Sequence, residues 1–155
     1  MYCTTKTSLL TFLLSLTFSA QAEQPRPADE IYYLSNCFNT LMQSSYAEID
    51  YYTNKSLSAS ISNKPSQPDL QTIINPSSSI NYEDGTWSSL TGAPFNFTAV
   101  IGDNAHTASA GTVVGSANSS TFVGTMGCVR LAEVVVHMQK EVTCYSDYAC
   151  TDSSG

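Results

Sequence analysis

The stretch AEIDYY, residues 47–52, alternates Ala47, Ile49 and Tyr51 against Glu48, Asp50 and Tyr52. A period of two is that of a strand, whose successive side chains point to opposite faces, so the stretch predicts a half-buried β-strand with one apolar and one acidic face. The same period recurs outward in both directions. FNFTAVI (95–101) sets Phe95, Phe97, Ala99 and Ile101 on one side, and Phe122, Met126 and Cys128 share a face expected to look inward. IYYLSNC (31–37) has the Tyr and Leu content of a strand. LQTII (70–74), GTVVGS (111–116), AEVVVHM (132–138) and EVTCY (141–145) extend the series, with Gln139-Lys140 read as the tight turn between the last two. Turn chemistry stands at Asn75-Pro76 and Asp84-Gly85, with Trp87 opening the strand after the second. Only NCFNTLMQSSYAEI (36–49) offers helical spacing. Short strands with frequent turn signals predict an all-β fold, a single antiparallel β-sandwich or small barrel.

The ends set the expected domain plan. Lys6 precedes an apolar run from Leu9 to Phe18, and Ala20-Gln21-Ala22 places small residues where a signal peptidase reads. The run is short for a membrane span, so residues 1–22 read as a removed N-terminal signal peptide. Residues 23–30, rich in Pro and acids, read as a mobile leader, 31–150 as a single β domain and 151–155 as a polar tail. A secreted, extracellular protein with no membrane role is expected. Loss of the signal removes Cys3 and leaves Cys37, Cys128, Cys144 and Cys150, an even set that favours disulfides in an oxidising compartment. Four cysteines allow three connectivities. The short spacing in CYSDYAC (144–150) suggests a local Cys144–Cys150 staple, with Cys37 bridged to Cys128 from predicted strands. Neither the spacing of zinc sites nor that of redox motifs is present, so no metal and no cofactor is expected.

Sequons at Asn54, Asn96 and Asn118 fit a glycoprotein. The formal net charge of −7 becomes one unit more negative when Lys6 leaves with the signal, and no basic cluster exists, which argues against nucleic acid as a partner.

Candidate chemistry is sparse, and no catalytic residue is assigned. His106 lies three residues after Asp103 on a Gly-bounded loop, where both side chains could meet a ligand. His137 ends an apolar run and reads as an outward strand residue. Glu48 and Asp50, roughly 6 to 7 Å apart along one strand, are compatible with the acid pair of a glycoside hydrolase, provided that a partly buried site raises one pKa. No G-x-S-x-G elbow, P-loop, dinucleotide fingerprint or zincin motif appears. The Tyr-rich early region, Tyr51 and Tyr52 included, and Trp87 supply aromatics with a polar edge, the kind used by extracellular recognition surfaces.

IYYLSNC, AEIDYY, a Trp after an Asp-Gly turn and the late GCVR and TCYSDYAC together resemble a loose group of small secreted, disulfide-bonded proteins of filamentous fungi, candidate effectors without an established activity. The resemblance carries over no catalytic residue. It implies a secreted, non-enzymatic, virulence-associated protein that binds a host extracellular protein or a wall polysaccharide. The alternatives are a small secreted carbohydrate-active hydrolase using the acidic pair and a structural wall or matrix protein. Tyr51, Tyr52, Trp87 and His106 are the candidate binding residues.

Overall fold

The computed structural model describes residues 30–53, 67–122 and 124–152. The expected signal peptide, nearly all of the leader, Asn54 and the last three residues of the tail lie outside them. Eight strands form the fold: β1 (Ile31–Asn39), β2 (Ser44–Tyr52), β3 (Leu70–Asn75), β4 (Gly85–Ser88), β5 (Phe97–Ile101), β6 (Val113–Ser119), β7 (Met126–Gln139) and β8 (Val142–Thr151). Among the described residues a single 3₁₀ turn, Ala105–Thr107, interrupts the series. The segment with helical spacing is the β1–β2 hairpin. Its turn forms because the Asn39 side chain accepts from the backbone N–H groups of Leu41 and Met42, while Gln43 takes a positive φ of 51°.

All pairings are antiparallel, in the order β3-β2-β1-β8-β7-β6-β5-β4. Read in a circle, this is an up-and-down meander in which the first and last strands pair and β3 and β4 are the two edges, a nearly closed barrel. Curvature is visible in one contact. Tyr32 of β1 stacks on Phe97 of β5 with ring centroids 4.4 Å apart. The two strands are four places apart in the sheet, about 19 Å if it were flat. The barrel is therefore filled by its own side chains: Tyr32, Leu34, Ile49, Tyr51, Phe95, Phe97, Ile101 and Met126 pack there, with Ala47, Ala99 and Ala117 where strands approach closely. Apolar burial of this kind is worth about 25 cal/mol per Å², and the aromatic pairs add to it.

One end is closed by the β3–β4 connection. Asn36 holds it through both backbone groups of Ile80, and the Tyr82 hydroxyl donates to the Ser35 carbonyl at 2.9 Å. The tight turn between β7 and β8 is Lys140-Glu141, one residue later than the sequence suggested, with Lys140 at φ 51°.

The sheet is irregular at one level. The ladders shift register at Leu34/Ser35 in β1, at Ala47/Glu48 in β2, and at Arg130/Val134 and Val135/His137 in β7. Bulges increase twist and re-aim side chains. Here they let the sheet bury both faces. A second apolar cluster, Ile31, Tyr33, Tyr52, Val136 and Ala149, lies on the face opposite the barrel core.

The cysteine pairing differs from the sequence expectation: Cys37 is bonded to Cys144 and Cys128 to Cys150. Each bridge joins residues directly opposed on neighbouring strands, β1 to β8 and β7 to β8. Cys144 and Cys150 sit in one extended strand, roughly 20 Å apart along it, which no disulfide spans. The register shift between Ser146 and Tyr148 also turns them to opposite faces, Cys150 into the barrel core and Cys144 to the other side.

Candidate functional site

Beside the second apolar cluster, the same face carries a group of buried polar residues. Cross-strand register places it: Cys37 is flanked by Tyr46 and Cys144, Cys144 by His137, and Ser35 by Glu48 and Ser146. Glu48 and Asp50 are each 0% exposed and His137 is 2% exposed. The acidic face of AEIDYY, expected to meet water, is thus buried. His137, expected to point outward, is its partner, because the shift at Val135/His137 reverses the alternation on which that expectation rested.

His137 Nε2 is 2.8 Å from Glu48 Oε1 and 3.5 Å from Asp50 Oδ1. Ser35 donates its hydroxyl proton to Asp50 Oδ2 at 2.6 Å. The sulfurs of Cys37 and Cys144 approach Glu48 Oε1 at 3.1 and 3.2 Å. Joined in a disulfide, they carry no proton, so these are close carboxylate–sulfur contacts and not hydrogen bonds. Among the described residues, Glu48 Oε2 and His137 Nδ1 are buried without a hydrogen-bond partner, and Asp50 Oδ1 has only the long contact with His137.

Electrostatics follow from this packing. Burial raises the Glu48 carboxyl to about 7; the hydrogen bond with His137 opposes the rise and the charge of Asp50 adds to it. Burial by itself would lower the His137 imidazole, but hydrogen bonding to and the charges of Asp50 and Glu48 outweigh it and raise the group to about 9. Both groups retain protons that their exposed counterparts would release. Two carboxyls converge and one is desolvated, which are the chemical conditions for an acid pair. Both carboxyls, however, have zero exposure to solvent. The Ser35 hydroxyl faces Asp50 and not His137, so the imidazole does not activate Ser35.

The other expected residues are scattered. Tyr51 and Tyr52 are buried, 5% and 2% exposed, on opposite faces of β2, and so are not surface binding residues in this fold. Trp87 is half-buried, edge-on to Tyr82 with centroids 5.4 Å apart, and its indole N–H donates to the Tyr82 carbonyl. His106 is exposed, but its partner is Glu83, with Nδ1 to Oε2 at 2.5 Å, rather than Asp103. Asp103 lies against Asp84, whose hydrogen bonding and charge raise its carboxyl. Asn96, the residue before β5, and Asn118 of the adjacent β6 are exposed and line one shallow depression with Phe97, Thr98, Ser119 and Ser120.

Together, fold and site define a disulfide-bonded, eight-stranded antiparallel barrel with a sealed ionisable cluster on its outer face. No helix among the described residues is long and apolar enough to cross a membrane. Comparison with known proteins finds no matching family model, no matching curated protein and no matching solved structure, so the functional reading rests on the geometry.

Proposed function

We propose that the protein is a secreted, non-enzymatic, effector-like binding protein that acts outside the cell, and that its target is an extracellular host protein. One observation carries the reading: an apolar surface at the end of the barrel where the β1–β2 and β7–β8 turns meet. Leu41 and Met42, 77% and 71% exposed, form the tip of the β1–β2 turn. Phe38 and Met138 both face Thr143 across the ladder, and Tyr145 follows two residues along β8, so the three exposed side chains share one face.

The patch lies behind the sealed cluster. Phe38 follows Cys37, Met138 follows His137 and Tyr145 follows Cys144, so the residues that lock the strands from one side display the apolar side chains on the other. Flexible leucine and methionine side chains with aromatics at the edge suit protein contact better than a polysaccharide, which is gripped by flat exposed rings and hydrogen bonds. Two disulfides are consistent with an oxidising, extracellular setting. Hydrolysis by the acidic pair finds no support in carboxyls without solvent contact.

The test is capture from host extracellular fluid and, in parallel, on insoluble chitin, β-glucan and host wall. Wild-type protein is compared with Leu41→Glu/Met42→Glu, whose substitutions lie in an exposed turn. A defined host protein, identified by mass spectrometry, retained by wild type and lost by the variant is the expected result. Polysaccharide retention unaffected by the variant, or release of soluble sugars, would overturn the reading.

A further inference from the structure

The sealed cluster contains more than a salt bridge. Cys37 Sγ, Cys144 Sγ, a Glu48 carboxylate oxygen and a His137 ring nitrogen all lie within 4.8 Å of one another, and all four residues are buried. Two sulfurs, an imidazole and a carboxylate are a donor set of the kind that holds zinc in a tetrahedral site. Glu48 Oε1 stands at the centre, near both sulfurs and His137 Nε2. Among the described residues nothing satisfies Glu48 Oε2, and the neighbouring Asp50 Oδ1 has only the 3.5 Å contact with His137. A buried carboxylate turned toward two proton-free sulfurs, with further buried oxygens left unpaired, is an arrangement that a cation would complete.

The geometry points to a latent metal site: on reduction of the Cys37–Cys144 bridge, Cys37, Cys144, His137 and Glu48 bind one zinc-type divalent cation in place of the disulfide. A thiol or phosphine reductant supplies two electrons and the S–S bond breaks, leaving two thiols. With a phosphine, the oxygen of one water ends on phosphorus and its two hydrogens end on the sulfurs. The cation then displaces to solvent both thiol protons and the protons held by the His137 ring and the Glu48 carboxyl, as two metal–sulfur bonds, one metal–nitrogen bond and one metal–oxygen bond form. Because the two cysteines oppose each other on β1 and β8, the covalent tie and the metal tie fasten the same pair of strands. Ser35, hydrogen-bonded to Asp50, keeps the second carboxylate beside the imidazole as the outer layer of the site.

The experiment uses the intact protein, oxidised or reduced with a phosphine, titrated with Co²⁺ as the spectroscopic stand-in for zinc. The reduced protein is expected to bind one Co²⁺ per chain with thiolate charge-transfer absorption and the intense visible bands of a tetrahedral ion; the oxidised protein is expected to bind none there. Cys37→Ser/Cys144→Ser, which keeps Cys128 and Cys150, should lose the signal. His137→Ala and Glu48→Gln, which remove direct ligands, should weaken binding by at least the roughly 10- to 100-fold that loss of an outer-layer partner costs. If reduction unfolds the chain, the same titration is read by circular dichroism, with Zn²⁺ restoring the β signal in wild type and not in His137→Ala. Absence of a tetrahedral spectrum and of metal-driven refolding, or a signal that survives in Cys37→Ser/Cys144→Ser or is equal in His137→Ala, would overturn the proposal.

Discussion

His137 Nε2 lies 2.8 Å from Glu48 Oε1, although the strands that carry them are separated in the sheet by β1 and β8. In a flat sheet those strands would be about 14 Å apart. The contact is thus a measure of how far the sheet coils over its outer face, and it is made by a ring that, among the described residues, is the cationic partner of two buried carboxyls.

Removing the ring leaves both carboxyls buried without their cationic partner. His137→Ala should therefore destabilise the oxidised protein by about 3 to 5 kcal/mol. Replacing the whole group by apolar residues of similar volume, Glu48→Met/Asp50→Leu/His137→Phe, should cost much less than the single change, because no charge is then left in the interior. Urea midpoints of the three proteins at neutral pH decide this. A His137→Ala protein as stable as wild type would mean that the cluster takes up water freely, contrary to its burial.

The two bridges should differ in weight. Cys37–Cys144 spans 107 residues of sequence and Cys128–Cys150 spans 22. From chain entropy, losing the first costs roughly 5 kcal/mol and losing the second roughly 3. Paired alanine substitutions at each bridge, followed by thermal unfolding, give the order. Non-reducing peptide mapping supplies a sharper check: a linked fragment joining residue 37 to 128 would contradict the strand pairing itself.

Much of the barrel was legible in the sequence because its strands follow one another around the sheet. Local alternation in AEIDYY and FNFTAVI identifies strands that pair with their chain neighbours, and a meander needs nothing more. Alternation also separates the two faces of a strand, but it does not say which face meets water when a coiled sheet buries both. That is why Glu48 and Asp50 read as a solvated face and Tyr51 and Tyr52 as binding residues. The register shift at Val135/His137 had the same effect on His137, since one extra residue reverses the side to which every later one points. Cysteine pairing was hidden for a different reason. It depends on β1 closing against β8, a contact across nearly the whole chain that leaves no local trace.

Gly115 should resist substitution for a packing reason. A Cβ there would stand 2.2 Å from the Val100 carbonyl oxygen and 3.1 Å from Ile101 Cα, both backbone atoms of the neighbouring strand. Backbone in a ladder cannot step aside as a side-chain tip can, so Gly115→Ala should cost about 3 kcal/mol, the upper part of the range for overpacking. Gly92→Ala is the control: nothing lies within 4 Å, and only its φ of 88° opposes a side chain, at about 1 kcal/mol. Equal melting temperatures for the two variants would refute the close approach of β5 and β6.

The acid limb of stability should run in part through Glu83. Burial raises this carboxyl, but the hydrogen bond from Tyr148 at 2.8 Å and those from the His106 ring and backbone N–H, with the charge of the ring, outweigh it and hold the group below the usual carboxylate range. Its folded value is depressed, so its contribution is fully present above the unfolded value of about 4.3 and is lost as pH falls through the folded one. Glu83→Gln should therefore be less stable than wild type near neutral pH, and the difference should close as the pH drops below about 4. Unfolding free energies of both proteins from pH 7 downward test this. A gap that stays constant to the lowest pH would show that Glu83 acts through its shape and hydrogen bonds alone, and not through its charge.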